Sequence, residues 1–379
     1  MQGRGRLGLP LACCSRQEGY INAEGNAVWN AAEWSVGMKA AVLAEWNKLE
    51  IREVPCPAAG PGEAVIRVAY TGICASDMHA FRGKHPLAHP GMILGHEFSG
   101  VVAELGSPCE GIKPGDKVCA HILEYCGRCD ACKKGFHNLC RSLKVLGTQS
   151  DGTFAEYVKV GIDKLFRLPD DADLRVYALA EPLAVGVYAT DRIGVALADT
   201  ALVIGAGPIG LCCAFAARKA GASRVVLSEV VLEKIEFARS LGFEVIDVGS
   251  QDLLAAAEAY TDGVGFDHIY ETSGRAVSTE SLTKIGSVRG SAILVAYTND
   301  PSPIDSWNLM RREMQISSIR VHPQSAYEAA VNMMLHDEAF RRQMTQLITR
   351  DYDFAHVQDA FEAWIAGTSK GKIMVKITE

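Results

Sequence analysis

The run Cys126-Gly-Arg-Cys129-Asp-Ala-Cys132-Lys-Lys-Gly-Phe-His-Asn-Leu-Cys140 constrains this chain more than any other stretch. Its spacing is C-x2-C-x2-C-x7-C. Four thiolates packed this densely make a closed tetrahedral sulfur shell, the arrangement Zn²⁺ takes in structural sites. Buried free thiols are a poor alternative, because Arg128, Asp130, Lys133 and Lys134 stand between the cysteines and charged residues rarely enter an apolar core. A disulfide framework suits short secreted chains, and residues 7–14 are too short for a signal h-region. A closed shell has no position for a substrate. The motif therefore predicts a folded lobe, and the chemistry must lie elsewhere.

Upstream, residues 72–79 read Gly72-Ile-Cys74-Ala-Ser76-Asp77-Met-His79, and residues 95–100 read Gly95-His96-Glu97-Phe-Ser-Gly100. Ala180-Glu181-Pro182 comes much later. A catalytic zinc takes three protein ligands and keeps one position for water or substrate. Cys74 and His96 are suitable donors. Glu97 and Glu181 are the carboxylate candidates, one bound directly and the other through water; the spacing leaves open which is which.

A third pattern is Leu202-Val-Ile-Gly205-Ala-Gly207-Pro208-Ile209-Gly210-Leu. An apolar, β-branched strand runs into G-x-G-x-x-G and then into good helix formers. Gly205, Gly207 and Gly210 allow the tight turn, the close approach of a pyrophosphate and close helix–strand packing, with Pro208 and Ile209 opening the helix whose N-terminus faces the phosphates. A second strand, Arg224-Val-Val-Leu-Ser-Glu229, ends in an acid nineteen residues after Gly210. There a carboxylate accepts hydrogen bonds from the adenosine ribose of NAD, and its charge repels a 2′-phosphate.

Taken together these residues resemble the zinc-dependent medium-chain dehydrogenases, in pattern the polyol branch that includes sorbitol, galactitol-phosphate and butanediol dehydrogenases. The resemblance covers about residues 38–379. The signature G-H-E-x2-G-x5-G-x2-C fits Gly95 through Gly106 and Cys109, and Gly152-Thr-Phe-Ala-Glu-Tyr157 and Gly371-Lys-Ile-Met-Val also match. The resemblance implies an α/β chain: a GroES-like antiparallel β-barrel catalytic domain plus a doubly wound Rossmann domain. It implies one catalytic and one structural Zn²⁺ per chain, NAD as cofactor, and a homodimer or homotetramer. It gives Ser76 and His79 the roles of proton relay, places Glu97 in the catalytic set, and makes Arg320 resemble a substrate-side arginine. Glu181 stands where simple alcohol dehydrogenases usually offer a second cysteine, which points to oxidation of a secondary hydroxyl in a polyol, vicinal diol or cyclitol. Threonine or simple alcohol dehydrogenase is the alternative within the family. A zinc-ribbon and Rossmann interaction protein without catalysis is the alternative outside it, and would be favoured by loss of Cys74, His96 or the acidic pair. A zinc-free quinone reductase would lack both metal sets.

The expected organisation is residues 38–187 as the catalytic zinc domain, with the structural-zinc lobe at about 121–141. Residues 188–322 follow as the NAD-binding domain, and residues 323–379 return to the catalytic domain. Six strands are expected at residues 201–204, 224–228, 244–248, 266–271, 292–297 and 315–319, with two helical runs and a last strand in the tail. Residues 1–37 carry no clear periodicity and are expected to be a disordered extension or a mis-called start. A net charge of −7 argues against nucleic acid as a partner. No apolar run approaches the ~20 residues that span a membrane. Five of the twelve cysteines sit at metal-like positions, and the rest suggest buried thiols in a reducing cytoplasm.

Overall fold

Residues 63–72, Glu-Ala-Val-Ile-Arg-Val-Ala-Tyr-Thr-Gly, are rich in β-branched and apolar side chains and form the central strand Glu63–Gly72, mostly buried on both faces. The computed structural model describes residues 20–21, 27–28, 37–107, 109–298, 301–367 and 369–378. On one side Glu63–Gly72 pairs antiparallel with Glu97–Leu105. On the other it pairs with Tyr157–Gly161 and, at its end, with Lys372–Lys376. Lys117–Ala120 and Leu165–Arg167 extend the sheet at one edge. Ile348–Asp353 closes the other, parallel to Lys372–Lys376. The hairpin of Gly37–Glu45 and Lys48–Pro55 folds over this seven-stranded sheet through bridges at Ala40–Ala155 and Val42–Ile93. Ile66, Phe98, Phe154 and Phe361 fill the enclosed core. This is the GroES-like barrel.

The second sheet holds six parallel strands: Thr200–Ile204, Arg224–Glu229, Glu244–Asp247, Phe266–Glu271, Gly286–Leu294 and Gln315–Ser318. Their spatial order is third, second, first, fourth, fifth, sixth. The order reverses beside the first strand, which opens a crevice at the carboxyl ends of the strands, the usual ligand position in doubly wound sheets. The helix Ala180–Ile193 packs against Pro208–Ala220 and Gln324–His336 and also touches Glu97–Leu105, so one helix links the two sheets.

Three expectations need correction. The fifth parallel strand begins at Gly286 and ends at Leu294, not at 292–297. Gly286 and Gly290 made its first half read as a loop. The ladder skips from Gly286 to Ser291, and Arg289 takes up the irregularity with φ 60°. The tail holds three helices, Gln324–His336, Glu338–Gln346 and Val357–Ile365, and a second strand at Ile348–Asp353. Asp337 divides the first two helices by capping Phe340 N. The barrel's first strand starts at Gly37, one residue ahead of Met38. Ahead of it Tyr20–Ile21 pairs antiparallel with Ala27–Val28; otherwise the expectation for residues 1–37 lies outside the described residues.

Candidate active site

Cys74 ends the chain's exit from the central strand and caps the helix Ala75–Phe81, with extended backbone at φ −98° and ψ 155°. Its amide donates to Asp77 Oδ2 at 2.9 Å. Oδ1 of the same buried carboxylate accepts from Gly95 N at 3.1 Å and lies 3.4 Å from His96 Nδ1. One aspartate thus ties the Cys74 turn to the Gly95–His96 loop and orients the imidazole. Gly95 is required there: φ is +99°, and a Cβ would sit 2.7 Å from Thr153 Oγ1. Burial works against a charge on His96, but Asp77 and Cys74 outweigh it and lift its pKa well above the usual value. The His96 pocket therefore favours positive charge. Ser76 Oγ is 3.4 Å from His96 Nε2, and His79, one turn further on the same helix, is exposed.

Donor atoms of Cys74, His96 and Glu97 lie within 4.8 Å of one another. Glu97 is fully buried, and its Oε1 pairs with Lys372 Nζ. Lys372 also donates to Ile73 O at 3.3 Å. Glu97 Oε2 is buried with no hydrogen-bond partner. A buried anionic oxygen without a donor is costly unless a cation meets it, and a sulfur, nitrogen and oxygen donor set suits Zn²⁺. The residues fit the metal.

Glu181, in the first turn of Ala180–Ile193, lies outside that 4.8 Å group. Its Oε1 accepts from His322 Nε2 at 3.1 Å, and both side chains are buried. Burial raises the Glu181 pKa, but His322, His96 and Lys372 outweigh it, so Glu181 stays below the usual carboxylate range. Arg320 does not enter the site: its side chain is exposed, and its carbonyl accepts from Asn138 Nδ2 at 3.1 Å. His322 and Lys372 escaped the sequence reading. Lys372 was inside a recognised motif, but nothing local shows that it is buried. His322 follows Val321, a β-branched residue at φ 49°, and no sequence pattern announces that turn.

The cysteine cluster gathers as spaced. The Sγ atoms of Cys126, Cys129, Cys132 and Cys140 lie within 4.8 Å of one another. Backbone amides of Cys126 and Ser142 donate to Cys140 Sγ, and that of Cys129 to Cys126 Sγ, each at 3.4 Å. Amides of Arg141 and Cys132 lower the Cys129 pKa to about 6, which favours the thiolate a metal needs. The ladder of Leu123–Glu124 with Lys144–Val145 closes the lobe at its base.

The glycine-rich turn has the expected shape. Gly205 has φ +105°, and a Cβ on Gly210 would sit 2.0 Å from Gly205 O. Gly207 caps the helix Pro208–Ala220 and faces open space, Pro208 opens that helix, and Ile209 packs inward. Glu229 receives Ala206 N on Oε2 at 3.0 Å, and Val230 N and Val231 N on Oε1 at 2.8 and 3.1 Å. It braces the phosphate turn and, of the roughly four acceptor positions of a carboxylate, keeps one on Oε2 for a further donor.

A barrel with a four-cysteine lobe, a three-donor metal pocket and a doubly wound nucleotide sheet defines a zinc-dependent, nicotinamide-linked dehydrogenase. Comparison with known proteins agrees. Residues 60–170 match the alcohol dehydrogenase GroES-like domain, and residues 208–336 the zinc-binding dehydrogenase family. The chain is 31% identical to D-arabitol-phosphate dehydrogenase of Enterococcus avium, over 87% of this chain and 94% of that protein. It is 31% identical to sorbitol dehydrogenase of Bacillus subtilis, over 86% and 93%. The solved structure of 2R,3R-butanediol dehydrogenase from Bacillus subtilis superposes with a TM-score of 0.81 at 28% identity, over 90% of this chain and all of that one. The chain belongs to the zinc-dependent medium-chain alcohol and polyol dehydrogenase family, whose cofactors are zinc and a nicotinamide nucleotide.

Proposed function

We propose that this enzyme oxidises a secondary hydroxyl of a neutral polyol, vicinal diol or cyclitol, with NAD as acceptor. The carrying observation is the Cys74, His96 and Glu97 cluster, with Glu97 Oε2 unpaired and Glu181 close by but outside the donor set. Zinc, when bound, supplies Lewis acidity that lowers the pKa of a bound hydroxyl, and the nicotinamide accepts the hydride. The chain does the rest. Asp77 fixes Cys74 and His96, and Lys372 fixes Glu97. Ser76, beside His96, takes the hydroxyl proton, and exposed His79 hands it to solvent. Glu181 offers a carboxylate to a second hydroxyl of the substrate, a group that ethanol lacks. Glu229 and the turn at Gly205, Gly207 and Gly210 seat the nucleotide.

The polyol reading is supported by the names of the relatives and by Glu181. The test is turnover at equal concentration, followed at the NADH absorbance. Sorbitol, xylitol, inositol or a butanediol should lead; ethanol or L-threonine ahead of all of them would sink it. We divide the chain at residues 38–187, 188–322 and 323–379. We also infer a homodimer or homotetramer in the cytoplasm. The open edge strand Gln315–Ser318, with exposed Tyr297, Trp307 and Met310 close by in sequence, supports self-association, and zinc-binding thiolates suit a reducing compartment. Light scattering of the purified protein tests the assembly. Among the described residues no helix is long and apolar enough to cross a membrane.

A further inference from the structure

Glu181 is buried and lies within electrostatic reach of His96 and Lys372, yet it is not one of the clustered donors. A fourth protein ligand would close the position that a catalytic zinc keeps for substrate. Something must hold Glu181 back, and the structure shows one group placed to do so. His322 Nε2 lies 3.1 Å from Glu181 Oε1, and no hydrogen bond reaches Oε2 among the described residues. The His322 ring is fully buried and cannot swing away. Tyr327 stacks on it at 5.8 Å and 26°, and His121 meets it edge-on at 5.3 Å. His121 Nε2 further ties the His322 carbonyl at 3.3 Å. The backbone reaches this position through Val321 at φ 49°. A β-branched residue adopts that conformation only when its surroundings over-determine it, and such strain clusters at functional sites.

We propose that His322 is a positioning residue that restrains Glu181 from the metal, so that zinc keeps three protein ligands and the Glu181 carboxylate remains free for the substrate's second hydroxyl. The inference rests on the zinc-dehydrogenase reading above. It predicts an inverted phenotype. Without His322 the carboxylate swings onto the zinc, and the metal is held more tightly while turnover falls.

Asparagine places its amide near the position of Nδ1 and is too short to reach Glu181; glutamine places its amide near Nε2 and retains the donor. The test compares wild type, His322→Asn, His322→Gln and the double variant His322→Asn with Glu181→Ala, all zinc-loaded. The readouts are zinc release to a competing chelator, kcat and KM for a polyol, and thermal unfolding. His322→Asn should release the catalytic zinc at least about tenfold more slowly and lose about ten- to a hundredfold in kcat/KM, the range typical of groups behind metal ligands. The double variant should return to wild-type release. His322→Gln should resemble wild type in both, which also covers the case in which asparagine destabilises the fold. Release from His322→Asn as fast as or faster than wild type overturns the proposal, as does slow release that persists in the double variant. A wild-type protein with one zinc or no alcohol oxidation would instead bring down the functional reading, and this inference with it.

Discussion

Lys372 carries a large energetic consequence for a single residue. It and Glu97 form a fully buried ion pair. Removing one member of such a pair leaves an uncompensated charge and costs about 3–5 kcal/mol. Bound zinc would face the same carboxylate and supply the missing positive charge. Lys372→Met should therefore lower urea stability by about that amount in the metal-free protein and by clearly less in the zinc-loaded one; equal losses in both would show that Glu97 does not bind the metal. We propose that Glu229 sets the cofactor preference. A hydrogen bond to a charged group contributes about 1.5–3 kcal/mol, so kcat/KM with NAD should exceed that with NADP by about ten- to a hundredfold. Glu229→Gln, which keeps an acceptor and removes the charge, should narrow the ratio. A wild-type ratio at or below one would show that Glu229 does not select.

At the scale of elements, the turn into Pro208–Ala220 tolerates nothing larger than glycine at 210. The offending atom is the backbone carbonyl of Gly205, 2.0 Å from an added Cβ, and no rotamer moves it. Overpacking of this kind costs roughly 1–3 kcal/mol. Gly210→Ala should weaken nucleotide binding, read by titration calorimetry, while the zinc content stays unchanged. The cysteine lobe is the opposite case, an element that closes on its metal. Cys129→Ser should lose one zinc and lower Tm and solubility, whereas Cys74→Ser should abolish turnover with Tm nearly kept. Both motifs were legible because their residues are close in sequence and their spacing carries the geometry. The first half of strand Gly286–Leu294 was not legible. Its two glycines and the kink at Arg289 hide a start that pairs with the neighbouring strand only through Gly286 and Phe266, before the regular ladder resumes at Ser291.

For the whole molecule, the described residues among 1–37 contribute no group to either metal cluster and no strand to the two large sheets. A protein starting at Met38 should keep its activity and melting temperature within a few degrees, as checked by calorimetry; a large loss would place the leader at an interface. By itself the sequence pointed to the family, the cysteine lobe, the nucleotide turn and the α/β class of the chain. Ligand chemistry and glycine turns depend on residue type at short range, and short range is what a sequence displays. Tertiary structure alone decided which carboxylate joins the metal cluster. Lys372 meets Glu97 across 275 residues because the last strand inserts beside the central one, and His322 meets Glu181 across 141 because the chain turns at Val321. A buried charge takes its partner from whichever element packs against it, and that neighbour is fixed only when the sheets close.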